Sequence, residues 1–333
     1  MRKLFTSKNI IVFFSVLGFL FAVSFLVKDK DAILEALAGM KYSALLLVLL
    51  FTTLSYLLMN IAFASSAILL GVEMPFKKLF YLGFISSVIA NLISIAGITS
   101  YTTKVALFKK HNLRVSQITA FTFFFANLGN ITLLALLPFG IKSFLSVQSI
   151  AAKITFSAQL EIFSVIFLAL AVNLAIFIGP FRRVVLGILL KFVRKGQTRE
   201  AFEARILAVN EAMDRTLLAL KENPGKLIRL AALTCLSWLF AILALGACFY
   251  SLGIIMPFGV LITGFTIGIF IGVISIIPGG MGIQEATMAG VFSFLGINFG
   301  VAVLAAIIFR LIYYVIPFFL GLALSKKWNG ADL

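Results

Sequence analysis

Two residues of opposite charge lie in apolar parts of the chain where a charge is costly. Glu285 follows the motif Pro278-Gly279-Gly280-Met281-Gly282, which interrupts a long apolar run, and Arg310 lies well inside the apolar stretch Ala302–Leu324. An arginine at the centre of a membrane span costs roughly 2.5–3.5 kcal/mol on insertion scales, so it should face a partner or water. We predict that Glu285 and Arg310 form a buried pair. Alternatively, Arg310 could bind a lipid phosphate bidentately, since a guanidinium suits that group. An ion pair that only holds the fold together, without a ligand, is the structural reading.

The glycine cluster before Glu285 suggests a break in the helix at membrane depth. Gly279, Gly280 and Gly282 would let the backbone approach a neighbour closely or present N–H groups to an anion. Gly282 precedes a helix start and therefore resembles an anion site at a helix N-terminus. The alternative is an ordinary loop between two complete spans, with Glu285 capping the next helix among the lipid headgroups.

The composition is typical of a polytopic helical membrane protein. Of 333 residues, 62% are hydrophobic and 12% are charged, whereas soluble domains are nearer one quarter charged. The net charge of +16 comes from positive residues between the apolar runs, which is typical of cytoplasmic loops near anionic headgroups rather than of nucleic-acid binding. A single histidine, and two cysteines within one apolar segment, argue against a metal site, a catalytic triad or a cofactor site.

The order of apolar runs and charges predicts one integral membrane domain over residues 1–333, with both termini in the cytoplasm and the plasma membrane as its location. Residues 180–229 form a basic cytoplasmic stretch that contains an amphipathic helix, which ends at Asn223-Pro224-Gly225 and either lies on the membrane or packs under the bundle. The predicted complete spans are Ile10–Val27, Tyr42–Leu70, Gln117–Phe139, Phe156–Ile178, Leu227–Gly253 and Phe299–Leu324.

Residues 79–116 fit a full crossing poorly. A full span over Leu79–Ile98 would place Lys104, Lys109, Lys110 and Arg114 outside the cell without any acid, against the positive-inside rule. A re-entrant hairpin that turns near Gly97 avoids this conflict, and a full span with an unusually charged loop is the alternative. The hydroxyl groups of Thr99, Ser100, Thr102 and Thr103 could then line a polar pocket, and Lys104 of the same hairpin could supply a second positive group.

Residues 257–297 form the second interrupted segment, and they must cross the membrane an even number of times for the C-terminus to be cytoplasmic. Either two full spans or one hairpin entering from outside would satisfy this. Ile93–Gly97 resembles Ile274–Gly279, and paired broken segments of this kind indicate a transport site between inverted repeats.

The predicted fold is therefore all-α: a polytopic transmembrane bundle with two re-entrant or broken hairpins that could be inverted repeats.

Two late motifs resemble a known family. The stretch Pro278–Ala286, followed by Phe309–Pro317 and Gly321, is similar to the lysylphosphatidylglycerol synthase transmembrane-region family of flippase-like membrane proteins. The resemblance implies that full-length relatives add an amino acid from tRNA to phosphatidylglycerol in a soluble C-terminal domain, while the membrane part moves the product outward. This chain ends at Leu333, so the resemblance implies that the synthase domain and its reaction are absent. The first hairpin departs from the family: a glutamate is missing, and Lys104 stands where an arginine is usual.

From these observations we predict a translocase for a phospholipid or another lipid-linked anionic substrate. Its predicted partners are membrane phospholipids, and a second copy of the chain could be a further partner in a homo-oligomer. The alternatives are a secondary transporter of a small anion and a non-catalytic accessory subunit of a separately encoded lipid-modifying enzyme. The predicted binding residues are Glu285, Arg310, Lys104, Gly279, Gly280, Gly282, Asn91, Thr102 and Thr103.

Overall fold

The computed structural model describes residues 28–93, 98–111, 113–147, 155–191, 220–275 and 277–327, with the short stretches 206–207, 210–211, 213–214 and 217–218. The regular structure within these residues is entirely helical, which confirms the all-α prediction. Its α-helices are α1 Lys30–Ala38, α2 Ala44–Leu69, α3 Phe76–Ile93, α4 Ile98–Lys109, α5 Val115–Leu145, α6 Phe156–Ala175, α7 Gly179–Lys191, α8 Pro224–Ser251, α9 Phe258–Ile274, α10 Ile283–Ser293, α11 Phe299–Arg310 and α12 Ile316–Lys327.

Five helices in the described residues are long and apolar enough to cross a membrane. They are α2, α5, α6, α8 and the continuous helix Phe299–Ser325, in which a π-helical turn, Leu311–Val315, joins α11 to α12. The five confirm the predicted spans in these regions, whereas the predicted span Ile10–Val27 lies outside the described residues. The apolar helix α9 has 17 residues, fewer than the about 20 needed to cross a bilayer.

Helix α5 differs from its prediction at its C-terminal end. We expected it to end near Pro138, but it continues through this proline to Leu145. A proline is tolerated inside a membrane helix because ending the helix there would leave more backbone groups without partners in hydrocarbon. The extra turns pack on α9, where a Cβ added at Gly140 would lie 3.0 Å from the carbonyl oxygen of Gly259.

Helices α2 and α8 form the most extensive helix pair. The Ser55 hydroxyl of α2 donates a hydrogen bond to the carbonyl oxygen of Ser237 on α8 at 2.9 Å, and both helices carry small buried residues, among them Ala62 and Ala241. Small residues allow membrane helices to approach closely and so to gain dispersion contacts that lipid would otherwise provide. Helix α11 also packs on α8, and its buried residues belong to the main apolar core.

Helices α9 and α10 pack antiparallel through a stripe of glycines on α9. The stripe consists of Gly264, Gly268 and Gly272, and a Cβ at any of them would come within 3.2 Å of the α10 side chains of Phe292, Met288 and Gln284, respectively. Helices α3 and α4 also pack against each other. Their connection, residues 94–97, lies outside the described residues, and with it most of the segment Ile93–Gly97 that resembles Ile274–Gly279.

The described parts of the basic stretch 180–229 pack against the helix bundle. Arg182 of α7 is 1% exposed; it donates to Asn210 Oδ1 at 2.7 Å and forms an ion pair with Asp214. Met213 and Leu220 are buried in a cluster with residues of α5 and α8. Helical residues end at Glu222 and α8 begins at Pro224, as the Asn-Pro-Gly sequence predicted.

The start of α11 is held by a carboxylate from the other end of the chain. Asp29 Oδ2 accepts a hydrogen bond from the backbone N–H of Gly300 at 3.0 Å. We expect Asp29→Ala to lower the free energy of unfolding by about 1 kcal/mol, because a helix N-terminus loses one of its acceptors and a favourable negative charge. Thermal unfolding of the purified protein in detergent measures this. The exposed Asp31 on α1 provides the matched control, and equal melting temperatures for Asp29→Ala and Asp31→Ala would contradict the prediction.

Candidate functional site

The break between α9 and α10 is a short 3₁₀ turn, Pro278–Gly280, followed by Met281 and Gly282. Gly279, Gly280 and Gly282 have φ angles of +60°, +63° and +83°, a left-handed conformation that side-chain-bearing residues rarely adopt. The turn also touches two other parts of the chain. A Cβ at Gly279 would lie 2.5 Å from the carbonyl oxygen of Leu92 at the end of α3, and one at Gly280 would lie 2.9 Å from Gly272 Cα.

Arg310 and Glu285 hold the two ends of this break, and the predicted ion pair between them is present. Arg310 Nη2 also donates to the carbonyl oxygen of Gly279 at 3.1 Å and to Gln284 Oε1 at 3.1 Å. Glu285 Oε2 accepts from the backbone N–H of Gly282 at 2.7 Å. The pair therefore satisfies a carbonyl and an N–H that the broken helix would otherwise leave unpaired, a requirement for irregular backbone inside a membrane.

This arrangement corrects one part of the predicted anion site. We expected the N-terminus of α10 at Gly282 to present its N–H to a bound anion. The N–H is instead bonded to the protein's own carboxylate, Glu285, three residues later. A negative charge is favourable at a helix N-terminus, and here a side chain provides it.

The π-helical turn after Arg310 directs two tyrosines towards the same region. Gln284 Nε2 donates to the Tyr314 hydroxyl at 3.1 Å, and the Arg310 guanidinium lies over the Tyr314 ring, 5.3 Å from its centroid. The Tyr313 hydroxyl is 2.7 Å from Ser55 Oγ. Because Ser55 already donates its single hydrogen to Ser237, Tyr313 is the donor in this second bond. Single π-helical turns are frequent at functional sites.

A cavity of about 310 Å³ lies beside the break. Its walls come from α2, α3, α4, α5, α8, α9, α10 and the two irregular turns, so nearly every element of the bundle contributes. Four of the predicted binding residues line it: Asn91, Lys104, Gly279 and Gly280. Glu285, Arg310 and Gly282 do not line it, although Arg310 contacts the lining residues Gln284 and Gly279.

Two predicted residues are elsewhere. Thr102 is exposed and Thr103 is half-buried, and neither lines the cavity. On α4, side chains one and two positions before Lys104 point in other directions because successive helical residues are about 100° apart. The predicted hydroxyl groups of Thr102 and Thr103 therefore do not line this cavity together with Lys104.

Lys104 is the charged residue of the cavity. It is 8% exposed, and its Nζ lies 5.4 Å from the centroid of the Phe63 ring. Among the described residues it has no acidic side chain within ion-pair distance. A buried ammonium without a counter-ion carries a large desolvation cost. The cavity therefore presents one uncompensated positive charge.

Three residues that line the cavity are exposed on the surface of the bundle: Ala126 and Asn130 of α5, and Val273 of α9. We call these three residues the lateral mouth of the cavity. Asn130 is the central residue of the 31-residue α5, so the mouth lies near the middle of a span. The two helices pack closely where Gly140 faces Gly259, and Val273, near the other end of α9, is 55% exposed.

Several lining residues were missed in the sequence, among them Tyr56, Gln284 and Tyr314. Asn91 Nδ2 donates to the Tyr56 hydroxyl at 2.9 Å, a contact between residues 35 positions apart that no local pattern encodes. Tyr314 had a usable signal, since it follows Arg310 by four residues and therefore lies on the same helix face. Gln284 directly precedes Glu285 and could have been considered with it.

The fold and the cavity define an α-helical, multi-pass membrane protein whose bundle encloses a buried positive charge. The family model described as lysylphosphatidylglycerol synthase TM region matches residues 10–321, and the chain belongs to this family. This confirms the resemblance inferred from the two late motifs.

Three curated relatives from Methanothermobacter thermautotrophicus, each described as a UPF0104 membrane protein, are similar to parts of the chain. One is 32% identical over 85 residues, covering 26% of this chain and 24% of the relative. A second is 34% identical over 98 residues, 29% of each protein. A third is 24% identical over 180 residues, covering 49% of this chain and 52% of the relative. The chain thus matches between about a quarter and a half of the length of these relatives.

Proposed function

We propose that this chain is a translocase that carries a phospholipid or another lipid-linked anionic substrate across the plasma membrane. The observation that carries the proposal is Lys104, a buried ammonium that has no counter-ion among the described residues and lines the cavity. An ionisable residue inside the membrane usually marks a substrate pathway, because a charge in hydrocarbon costs free energy and a residue without a function there would be replaced during evolution. An anionic headgroup in the cavity would supply the missing negative charge.

The lateral mouth supports a lipid rather than a small anion. The headgroup of a lipid could occupy the cavity while the acyl chains pass through the lateral mouth at Ala126, Asn130 and Val273 and remain in hydrocarbon. A transporter of small anions would need the opposite arrangement, with the site sealed from lipid and open to water. An accessory subunit without transport activity would not require a cavity with a buried charge.

The proposed topology is a single membrane domain over residues 1–333 with both termini in the cytoplasm. Helices α3 and α4 form one hairpin that enters from the cytoplasmic side, and α9 with α10 form another that enters from outside. The close approach of Gly279 to Leu92 supports a meeting of the two hairpin tips. In transporters built from inverted repeats, the substrate site lies at such a meeting point of broken helices. Binding and movement alone suffice for this activity, which needs no covalent step.

The test is lipid movement in vesicles. Purified protein is reconstituted with a trace of tail-labelled phosphatidylglycerol, and a membrane-impermeant reductant reports how fast label from the inner leaflet reaches the outer one. We expect movement well above that of protein-free vesicles. Ala126→Trp places a large side chain in the lateral mouth, and we expect it to slow movement by about tenfold or more, the effect of roughly 1.4 kcal/mol on a barrier.

Ala135→Trp is the matched control, because Ala135 is also exposed on α5 and does not line the cavity. It should move lipid at the wild-type rate. Equal rates in wild-type, Ala126→Trp and protein-free vesicles would refute the translocase. A rate that falls equally in both tryptophan variants would refute the lateral route.

A further inference from the structure

Among the described residues that line the cavity, Lys104 is the one that carries a charge. Arg310 uses Nε on Glu285 and Nη2 on Gly279 and Gln284, and it does not line the cavity. Its remaining nitrogen, Nη1, is buried without a partner in the described chain and is not accessible from the cavity. The Arg310–Glu285 pair is therefore a positioning pair that shapes the wall. The described lining residues of the cavity together carry a formal charge of +1.

Hydrogen-bond donors accompany that charge. Gln284 Oε1 accepts from Arg310, so its amide nitrogen faces Tyr314 and donates to the phenol oxygen. The Tyr314 hydroxyl proton then has no acceptor in the described chain and is free to donate to a ligand. Tyr56 and Asn91 share one hydrogen bond, which leaves at least one of their donors unused whichever way the amide is turned. An ammonium and unused O–H or N–H groups suit phosphate oxygens.

The cavity offers nothing of opposite sign to an amine. None of its described lining residues is Asp or Glu. Glu285 lies behind the wall and is already bound to Arg310 and to the Gly282 N–H. The ammonium group of an amine-bearing headgroup would lie near the Lys104 ammonium without a carboxylate to balance it. Two positive charges repel each other more strongly inside a protein than in water, because the effective dielectric constant is lower there.

We infer that the cavity selects a phosphodiester headgroup of net charge −1 without an amine, such as that of phosphatidylglycerol, over zwitterionic and aminoacylated headgroups. The inference rests on the proposed function, whose lipid substrate it specifies. Lys104 is the group that binds the phosphate, and the Tyr314 and Tyr56–Asn91 donors orient it. A family resemblance based on an aminoacylated lipid would lead to the opposite expectation, a site that favours a positively charged headgroup.

Equilibrium binding in detergent tests this selectivity without any transport. Trp238 lines the cavity and is one of two tryptophans, so Trp328→Phe leaves it as the single tryptophan, whose fluorescence can be excited selectively over that of the tyrosines. Soluble dihexanoyl lipids with phosphatidylglycerol, phosphatidylethanolamine and aminoacylated phosphatidylglycerol headgroups are titrated, and inorganic phosphate is titrated separately. We expect phosphatidylglycerol to bind about tenfold or more tightly than the other ligands, the scale of one charge-assisted hydrogen bond.

Lys104→Met should raise the Kd for phosphatidylglycerol by about tenfold or more and abolish the preference. Lys109→Met, at the exposed end of the same helix, should leave the Kd for phosphatidylglycerol and the preference among the headgroups unchanged. Equal Kd values for the three lipids, no detectable binding of any of them, or a preference retained in Lys104→Met would overturn the inference. Tighter binding of inorganic phosphate than of phosphatidylglycerol would also overturn it and would favour a small anion.

The two proposals fail separately. Selective binding without lipid movement in vesicles would refute translocation and leave the headgroup selectivity standing. Movement of all three lipids at equal rates, with equal Kd values, would refute the selectivity and leave translocation standing.

Discussion

Arg310→Met should destabilise the protein by about 3–5 kcal/mol, the largest effect on stability that we expect from a single substitution at the site. The substitution leaves the Glu285 carboxylate buried at 5% exposure and unpaired. It also removes the donor to the Gly279 carbonyl oxygen and to Gln284 Oε1. Unfolding of the purified protein in mixed detergent and dodecyl sulfate micelles, followed by loss of the folded fraction, measures the change.

A double substitution separates charge from shape. Glu285→Gln with Arg310→Met removes both charges, and the glutamine can still accept from the Gly282 N–H. We expect it to recover more than half of the lost stability, because a buried pair stabilises little beyond an apolar replacement, whereas one unpaired charge is costly. If the double variant is as unstable as Arg310→Met, the bond from Arg310 to the Gly279 carbonyl oxygen matters more than the pairing.

The ion pair could be predicted from the sequence because hydrocarbon leaves few options. Glu285 and Arg310 are charges of opposite sign in neighbouring apolar runs, and neither has an alternative partner of low cost. The spans could be predicted for the same reason, since run length and hydropathy alone decide whether a helix can cross. Pro138 was misjudged because a rule that holds in water, where a proline commonly ends a helix, weakens in lipid.

The cavity could not be predicted, because its residues come from distant parts of the chain. A tyrosine in an apolar run is as compatible with packing as with a binding site, and only the structure brings Tyr56 beside Asn91 and Tyr314 beside Gln284. We predicted Lys104 as a binding residue because of its positive charge. That it has no acidic partner among the described residues depends on the direction of α4 and on every helix around it. Periodicity within one helix carries neither piece of information.

Lys104→Met is expected to have opposite effects on stability and on function. Methionine has a similar length and no charge, so it removes the desolvation cost of a buried ammonium and should raise the free energy of unfolding by roughly 0.5–2 kcal/mol. The same change removes the positive charge of the cavity, and movement of labelled phosphatidylglycerol should fall by about tenfold or more. A residue kept for structure would show both quantities falling together.

The two measurements are a thermal unfolding curve in detergent and the vesicle assay on the same preparation. Lys109→Met controls for loss of a positive charge from α4, and both of its values should match the wild type. If Lys104→Met melts at a lower temperature and its rate falls only in proportion to the folded fraction, the ammonium supports the fold through its contact with Phe63. A higher melting temperature with a lost rate would instead mean that the protein retains a costly charge because its substrate requires it.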